Sequence, residues 1–224
     1  MAYKEPIKPC NVSQIVADMG TYFERLNEES DRGVILASAD LLDWHLKVLA
    51  RQRINVGDSI SNSKKKELLK SFFNNQGMIG SFSNATKFCY GMELIHLKTY
   101  ETIEAIRDIR NDVAHSFGTI SFNDALIKSR IQSHWKSNRS LEDRIKSNDI
   151  SELRYRIEFD FSGHGKVLST IKGSAIRLKF IEQVFNVDSD LIMQVHDELT
   201  KIGYNKGIIK DGKMIPLPNE PISF

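Results

Sequence analysis

Apolar residues recur every three or four positions along most of the first 135 residues, and this spacing constrains the fold more than any other feature. Such a period is typical of α-helices that bury one face. It predicts six helices, over about residues 12–26, 33–54, 64–73, 84–93, 97–117 and 122–135. Gly77 is expected as a left-handed helix cap and Ser121 as an N-cap. The pattern therefore indicates an all-α fold, a helical bundle.

The last third of the chain is less uniform. Between 154 and 161, charged residues alternate with the apolar Tyr155, Ile157, Phe159 and Phe161, which predicts a strand. Gly163–Gly165 is expected to turn the chain, and residues 167–185 to form a helix. Asp188 or Ser189 would cap a last helix that ends near Ile202. The Asp-Gly pair at 211–212 indicates a hairpin within 208–215.

These patterns predict three parts of the chain. Residues 1–11 form an arm, residues 12–135 form the helical core, and residues 136–224 form a C-terminal extension. The extension is expected to be mainly helical, to pack on the core, and to include a short β-hairpin or strand.

Charge and cysteine content narrow the classes of partner. The 31 lysines and arginines against 29 aspartates and glutamates leave a formal net charge of +2, so any nucleic-acid contact needs a local patch. Cys10 and Cys89 are far apart and are expected to be free thiols in a reducing cytoplasm. No apolar run approaches the roughly 20 residues of a membrane span. We therefore expect a cytoplasmic protein with no membrane partner, cofactor or metal site.

The segment Arg110–His115 carries the residues best suited to chemistry. Arg110 falls between Ile106 and Val113 in an apolar stripe that also includes Tyr100, Ile103 and Phe117. A buried arginine needs a partner. The sequence therefore predicts that Arg110 pairs with a carboxylate at a helix–helix interface, with Asp40, Asp43 and Glu93 as candidates.

The same residues also suit a phosphodiester substrate. His115 could act as a general acid or base, Arg110 could hold a phosphate through its guanidinium, and Asn111 could orient either group. Asn111 and His115 share a helix face, whereas Arg110 and His115 lie about 140° apart around an ideal helix. The two side chains could converge on one ligand only through the length of the arginine side chain, at a helix end, or with a second subunit. Alternatively, Asn111 and His115 cap the end of the helix.

Three segments carry a resemblance to a known family. They are Gly-Ser-Phe-Ser-Asn-Ala-Thr-Lys from Gly80, Tyr-Gly-Met-Glu-Leu-Ile from Tyr90, and Ile106–Ser116. Together they resemble the MltR family of mannitol operon repressor-like proteins, over roughly residues 30–135. That resemblance implies an all-helical transcriptional regulator that has no DNA-reading head and works through partners.

The Arg-Asn-x-x-x-His signature is also similar to that of the HEPN superfamily, which includes metal-independent ribonucleases of toxin–antitoxin and anti-phage systems. Two hypotheses follow. The first is a regulator that acts as a helical binding module, expected to form a homodimer and to bind a protein or nucleic acid, RNA rather than DNA read directly. The alternative is an endoribonuclease whose catalytic residues are Arg110, Asn111 and His115. Whether the chain is an enzyme stays open at this point.

Overall fold

The computed structural model describes residues 12–54, 60–135, 153–161, 165–205, 208–210 and 213–215. Within them the helices are α1 Val12–Arg25, α2 Asp31–Arg53, α3 Asn62–Phe73, α4 Phe82–Gly91, α5 Leu97–His115, α6 Ala125–His134 and α7 Ala175–Asn205. The strands are β1 Leu153–Phe161, β2 Gly165–Gly173, β3 Ile208–Lys210 and β4 Lys213–Ile215. The all-α class with a hairpin in the C-terminal third is confirmed.

Several predicted features lie outside the described residues. They are the arm over 1–11, the Gly163-His164 turn, the Asp-Gly turn at 211–212 and the thiol of Cys10. No described helix is long and apolar enough to cross a membrane.

The six predicted helices are present, with corrections at their ends. Ser81 is the N-cap of α4, and its Oγ accepts a hydrogen bond from Asn84 N at 3.2 Å. Asp124, not Ser121, is the N-cap of α6. Gly77 does not have a positive φ, so the predicted left-handed cap is wrong. Asn74 ends α3 in an extended conformation, and Gly77 is needed because a Cβ there would collide with the Ser71 carbonyl oxygen.

The C-terminal third contains two further corrections. The strand predicted over 154–161 is confirmed as β1, but residues 167–173 belong to β2 rather than to a helix. β1 and β2 pair antiparallel, with a register that runs from Leu153↔Gly173 to Phe161↔Gly165. The predicted break at Asp188 or Ser189 is also wrong, because both residues are buried inside the continuous helix α7.

The chain divides into two compact units, each with its own core. The α6 unit contains Ser13–Leu42 and the described residues of Glu101–Asp188. Its core is aromatic, with ring contacts of Phe23 to Phe185 at 5.4 Å and of Phe180 to Phe122 and Trp135 at 5.4 and 6.1 Å. The α4 unit contains Asp43–Tyr100 and the described residues from Ser189 onward. Its core includes the buried side chains of Leu46, Leu49, Ile79, Ala85, Cys89, Leu191 and Val195.

Candidate functional site

Arg110 lies on the second half of α5 and is not the buried, carboxylate-paired arginine that the sequence predicts. Its side chain is half-buried, and its Nη1 donates a hydrogen bond to Asn111 Oδ1 at 3.3 Å. Among the described residues this is the polar contact of Arg110, and no carboxylate pairs with it. The predicted ion pair with Asp40, Asp43 or Glu93 is therefore wrong.

The apolar stripe of α5 explains the error. Ile103, Ile106, Ile109 and Val113 are fully buried and follow one another at steps of three, three and four. Ile109 therefore continues the stripe, and Arg110 lies beside it. Phe117, predicted in the stripe, lies beyond the helix and is fully exposed.

His115 is the last residue of α5 and is exposed. No hydrogen bond or ion pair joins its side chain to another described residue. Gly118, with a φ of 113°, turns the chain away from the helix. His115 is therefore accessible to a ligand, but nothing in the described part of the chain fixes it against Arg110 or Asn111.

The end of α5 is capped by an arginine from α2. Arg32 Nη1 donates to the carbonyl oxygens of Ser116 at 3.0 Å and Gly118 at 3.5 Å. A cation is favourable there because the last carbonyl groups of a helix carry a partial negative charge. The capping role predicted for Asn111 and His115 is thus performed by Arg32.

Asp31, next to Arg32, anchors the start of α2. Arg177 Nη1 donates to Asp31 Oδ1 at 2.7 Å, and Arg177 Nη2 donates to the carbonyl oxygens of Leu26 and Glu29. The other carboxylate oxygen of Asp31 accepts hydrogen bonds from Phe122 N at 2.9 Å and from the Ser121 hydroxyl. Asp31 thus joins α2, α7 and the segment that leads into α6.

The turn between α4 and α5 has a strained backbone. Leu94 N donates to Cys89 O at 2.8 Å and Glu93 N donates to Tyr90 O at 3.0 Å, the two hydrogen bonds of a Schellman motif. Glu93 occupies its left-handed position with a φ of 57°, where glycine is usual. Of the residues described, Glu93 alone has a positive φ without being glycine.

An exposed apolar surface surrounds this turn. We call it the corner surface, and it comprises the exposed Tyr90, Met92, Leu97 and Met193 and the half-buried Tyr100. Met92 and Leu97 are 42% and 53% exposed, and the rings of Tyr90 and Tyr100 stack at 4.5 Å. Beside them is a shallow pocket of about 180 Å³, lined by Ile95, His96, Thr99, Asp190, Met193 and Gln194.

Polar contacts hold the pocket in shape. Thr99 Oγ1 donates to Asp190 Oδ2 at 3.1 Å, which joins the first turn of α5 to α7. The sequence interpretation gave this surface no role, although Tyr90–Ile95 is one of the segments that resemble a known family. The available signal was the placement of apolar Met92 and Leu97 at helix ends, where polar residues are usual. No group of three or more metal-ligating side chains occurs in the parts of the chain that the structure describes.

Comparison with known proteins points to one family. A family model described as "MtlR: Mannitol repressor" matches residues 20–156, more than half of the chain. This is the family that the three sequence segments resemble. No curated protein sequence matches significantly.

A solved structure also matches the chain. It is titled "X-ray structure of the MtlR-HPr complex from Escherichia coli", and the matching chain is 18% identical with a TM-score of 0.46. The match covers 83% of the present chain and 98% of the solved one. A likeness of this size shows neither a shared site nor a shared partner.

Proposed function

The chain belongs to the mannitol repressor family, MtlR, and we propose that it acts as a regulator by binding a protein partner on the corner surface. The observation that carries this proposal is the exposure of large apolar side chains around a pocket in the α4 unit. Tyrosine and methionine are enriched at protein interfaces, and methionine adapts to different partner shapes. Tyr90–Ile95, which carries the family resemblance, forms the turn at the centre of this surface.

Charge favours a protein over a nucleic acid at this surface. The exposed carboxylates of Glu93 and Asp190 lie at the turn and the pocket, where they would repel phosphate groups. The chain as a whole has a formal net charge of only +2. We therefore infer regulation through a bound protein rather than through direct reading of DNA.

Single substitutions at the corner surface test this proposal. We expect Leu97→Asp and Met92→Asp to abolish binding of a partner protein that the wild-type chain binds. Each substitution places a charge in the apolar contact. Leu126→Asp is the matched control, since Leu126 is equally exposed at 55% but lies on α6, in the other unit. Purified HPr, the protein named in the E. coli complex, is one probe, measured by biolayer interferometry.

The outcome is decided by comparison of the three variants. The corner surface is supported as the docking site if Leu97→Asp and Met92→Asp lose binding and Leu126→Asp retains it. Proteins captured from a cell lysate are identified by mass spectrometry and compared in the same way. Equal capture by all variants would place the docking surface elsewhere on the chain.

The ribonuclease alternative stays a prediction. In its favour, His115 is exposed at the end of a helix where a substrate can reach it. Arg110, however, contacts Asn111 rather than an open position beside His115. A catalytic constellation would need both side chains to meet at one phosphate, so the regulator has the stronger support.

A further inference from the structure

We propose that two copies of this chain associate through β1, as antiparallel edge strands centred on Ile157. β1 is nine residues long and pairs with β2 along one edge. Among the described residues no strand pairs with its other edge. An open edge of this length offers a row of backbone donors and acceptors to another strand.

The second edge of the hairpin is already occupied. Asn27 Nδ2 donates to Thr170 O at 2.9 Å, and Lys172 N donates to Asn27 Oδ1 at 2.8 Å. The side-chain amide thus bonds the backbone of β2 as a neighbouring strand would. β1 therefore supplies the edge at which the sheet can grow.

The charge pattern of β1 identifies a second copy as the occupant. Arg154 and Arg156 precede Ile157, and Glu158 and Asp160 follow it, so that the signs are mirrored about Ile157. Antiparallel pairing centred there places Arg156 opposite the partner subunit's Glu158. It also places Arg154 opposite the partner subunit's Asp160. By symmetry each pair occurs twice, and cross-strand neighbours of opposite charge stabilise a sheet.

Neighbouring registers match fewer charges. A centre at Arg156 keeps only Arg154 opposite Glu158, and a centre at Glu158 keeps only Arg156 opposite Asp160. A centre at Arg156 or at Glu158 would place that residue opposite its own copy, with like charges in contact. Centring on Ile157 instead makes Ile157 its own neighbour and places Tyr155 opposite the partner subunit's Phe159. The sequence therefore selects one register among the nearby ones.

Within the hairpin register, three of these four charged residues lie opposite a residue that is uncharged or of like charge. Arg156 lies opposite Thr170, and Glu158 lies opposite Leu168. Arg154 lies opposite Lys172, a residue of like charge. In the proposed dimer, each of the four charged residues of β1 lies opposite a residue of opposite charge. In the hairpin register only Asp160 does so, opposite Lys166.

A charge-swap series on the full-length chain tests the proposal by analytical ultracentrifugation. The wild type is expected to dimerise, and Arg156→Glu to raise the dimer dissociation constant at least about tenfold, because two like-charge pairs form. The double variant Arg156→Glu with Glu158→Arg restores opposite charges in the dimer and is expected to dimerise like the wild type. A wild type that is monomeric up to ~100 µM would have a dissociation constant well above that concentration, and this result would overturn the proposal. Dimerisation of Arg156→Glu to the wild-type extent would overturn it too.

Disulfide trapping gives a second measurement that does not depend on the charged variants. In a Cys10→Ser background, Ile157→Cys places two thiols opposite each other across the two-fold axis, within disulfide range. In the matched control Tyr155→Cys the two thiols are four residues apart along the ladder, or about 13 Å. Covalent dimer is expected for Ile157→Cys alone after mild oxidation. Equal trapping of both variants, or of neither, contradicts the register.

Discussion

His115 is the side chain whose replacement separates regulator from ribonuclease most directly. It is exposed, and its side chain forms no hydrogen bond or ion pair with another described residue, so we expect its removal to leave the packing of α5 intact. If the regulator proposal is correct, structured RNA incubated in EDTA stays as intact with the wild type as with His115→Ala or Arg110→Ala. Gel electrophoresis of the RNA measures this. RNA cleavage by the wild type that both variants lose would establish the nuclease instead.

Cys89 makes stability depend on alkaline pH. Burial raises the pKa of its thiol from 9.0 to about 12, and burial likewise raises the pKa of the Tyr22 hydroxyl. Between pH 9 and 12 the unfolded chain has therefore lost a proton that the folded chain keeps, so the free energy of unfolding falls as pH rises. For Cys89 the loss is about 1 kcal/mol between pH 8 and pH 10.

Urea denaturation at pH 8 and pH 10 measures this loss. Cys89→Ala is expected to lower stability at both pH values, because the buried side chain packs in the core of the α4 unit. The variant should nevertheless show a smaller decrease between the two pH values. Cys10→Ser is the control and should retain the wild-type decrease. An unchanged pH dependence in Cys89→Ala would show that the thiol ionises to the same extent in the folded and unfolded states.

The candidate site shows where single-residue reasoning from sequence stops. A helical period of 3.6 allows an apolar stripe to pass through either position 109 or position 110, and local spacing does not choose between them. In the folded chain Ile109 is the residue that is buried, so Arg110 lies beside the apolar stripe. The capping role of Arg32 could not be predicted from the sequence either, because Arg32 and the Ser116 carbonyl oxygen that it contacts are 84 positions apart.

At the scale of the helix, the end of α5 depends on Gly118. Its φ of 113° is strained for any residue with a Cβ, although the space around it is open. Gly118→Ala should therefore lower the free energy of unfolding by about 1–3 kcal/mol through backbone strain alone. Gly20→Ala is the matched control, since Gly20 is also in open space but lies inside α1. It should raise stability by about 0.5–1 kcal/mol. Thermal melting measures both, and shifts of the same sign would contradict the argument.

The contact between Asp31 and Arg177 should matter more than an exposed ion pair. Arg177 is 8% exposed, so Asp31→Ala leaves a nearly buried guanidinium without its carboxylate. We expect a loss of about 3 kcal/mol in the free energy of unfolding. Asp112→Ala breaks the more exposed pair with Arg130, 2.8 Å long, and should cost less than about 1 kcal/mol. Comparable losses in the two variants would mean that Asp31 is not an anchor.

Elements defined by local periodicity were predictable, and elements defined by distant pairing were not. The helices before residue 135 follow from apolar spacing, and β1 follows from strict alternation. β2 was predicted as helix because Val167, Leu168 and Ile171 fit either period, and its pairing with β1 settles the matter. α7 was predicted in two pieces because Asp188 and Ser189 are good N-caps. Apolar residues on both sides, including Val184 and Leu191, keep the helix continuous.

For the whole molecule, the two units carry different candidate functions. The corner surface lies in the α4 unit, whereas the Arg110–His115 segment and the open edge of β1 lie in the α6 unit. Variants in one unit therefore serve as controls for the other. A regulator that lost partner binding in Leu97→Asp but kept its dimer would show that recognition and self-association are separate properties.

The balance of charge over the chain leads to a last prediction, on DNA. Nonspecific affinity for DNA grows with the number of phosphates that a protein neutralises. The 31 basic residues of this chain are nearly balanced by 29 acidic ones, so little excess positive charge is left to neutralise phosphates. Within the part of the chain that the structure describes, three consecutive lysines lie at Lys64–Lys66 on α3, and the first and third of them are exposed. Fluorescence anisotropy with a labelled DNA duplex should show a dissociation constant weaker than about 1 µM at 150 mM salt. Any binding at low salt should decrease when the three lysines are replaced by glutamine. Submicromolar binding at 150 mM salt would instead mean that the chain binds DNA itself, and this would count against regulation through a protein partner alone.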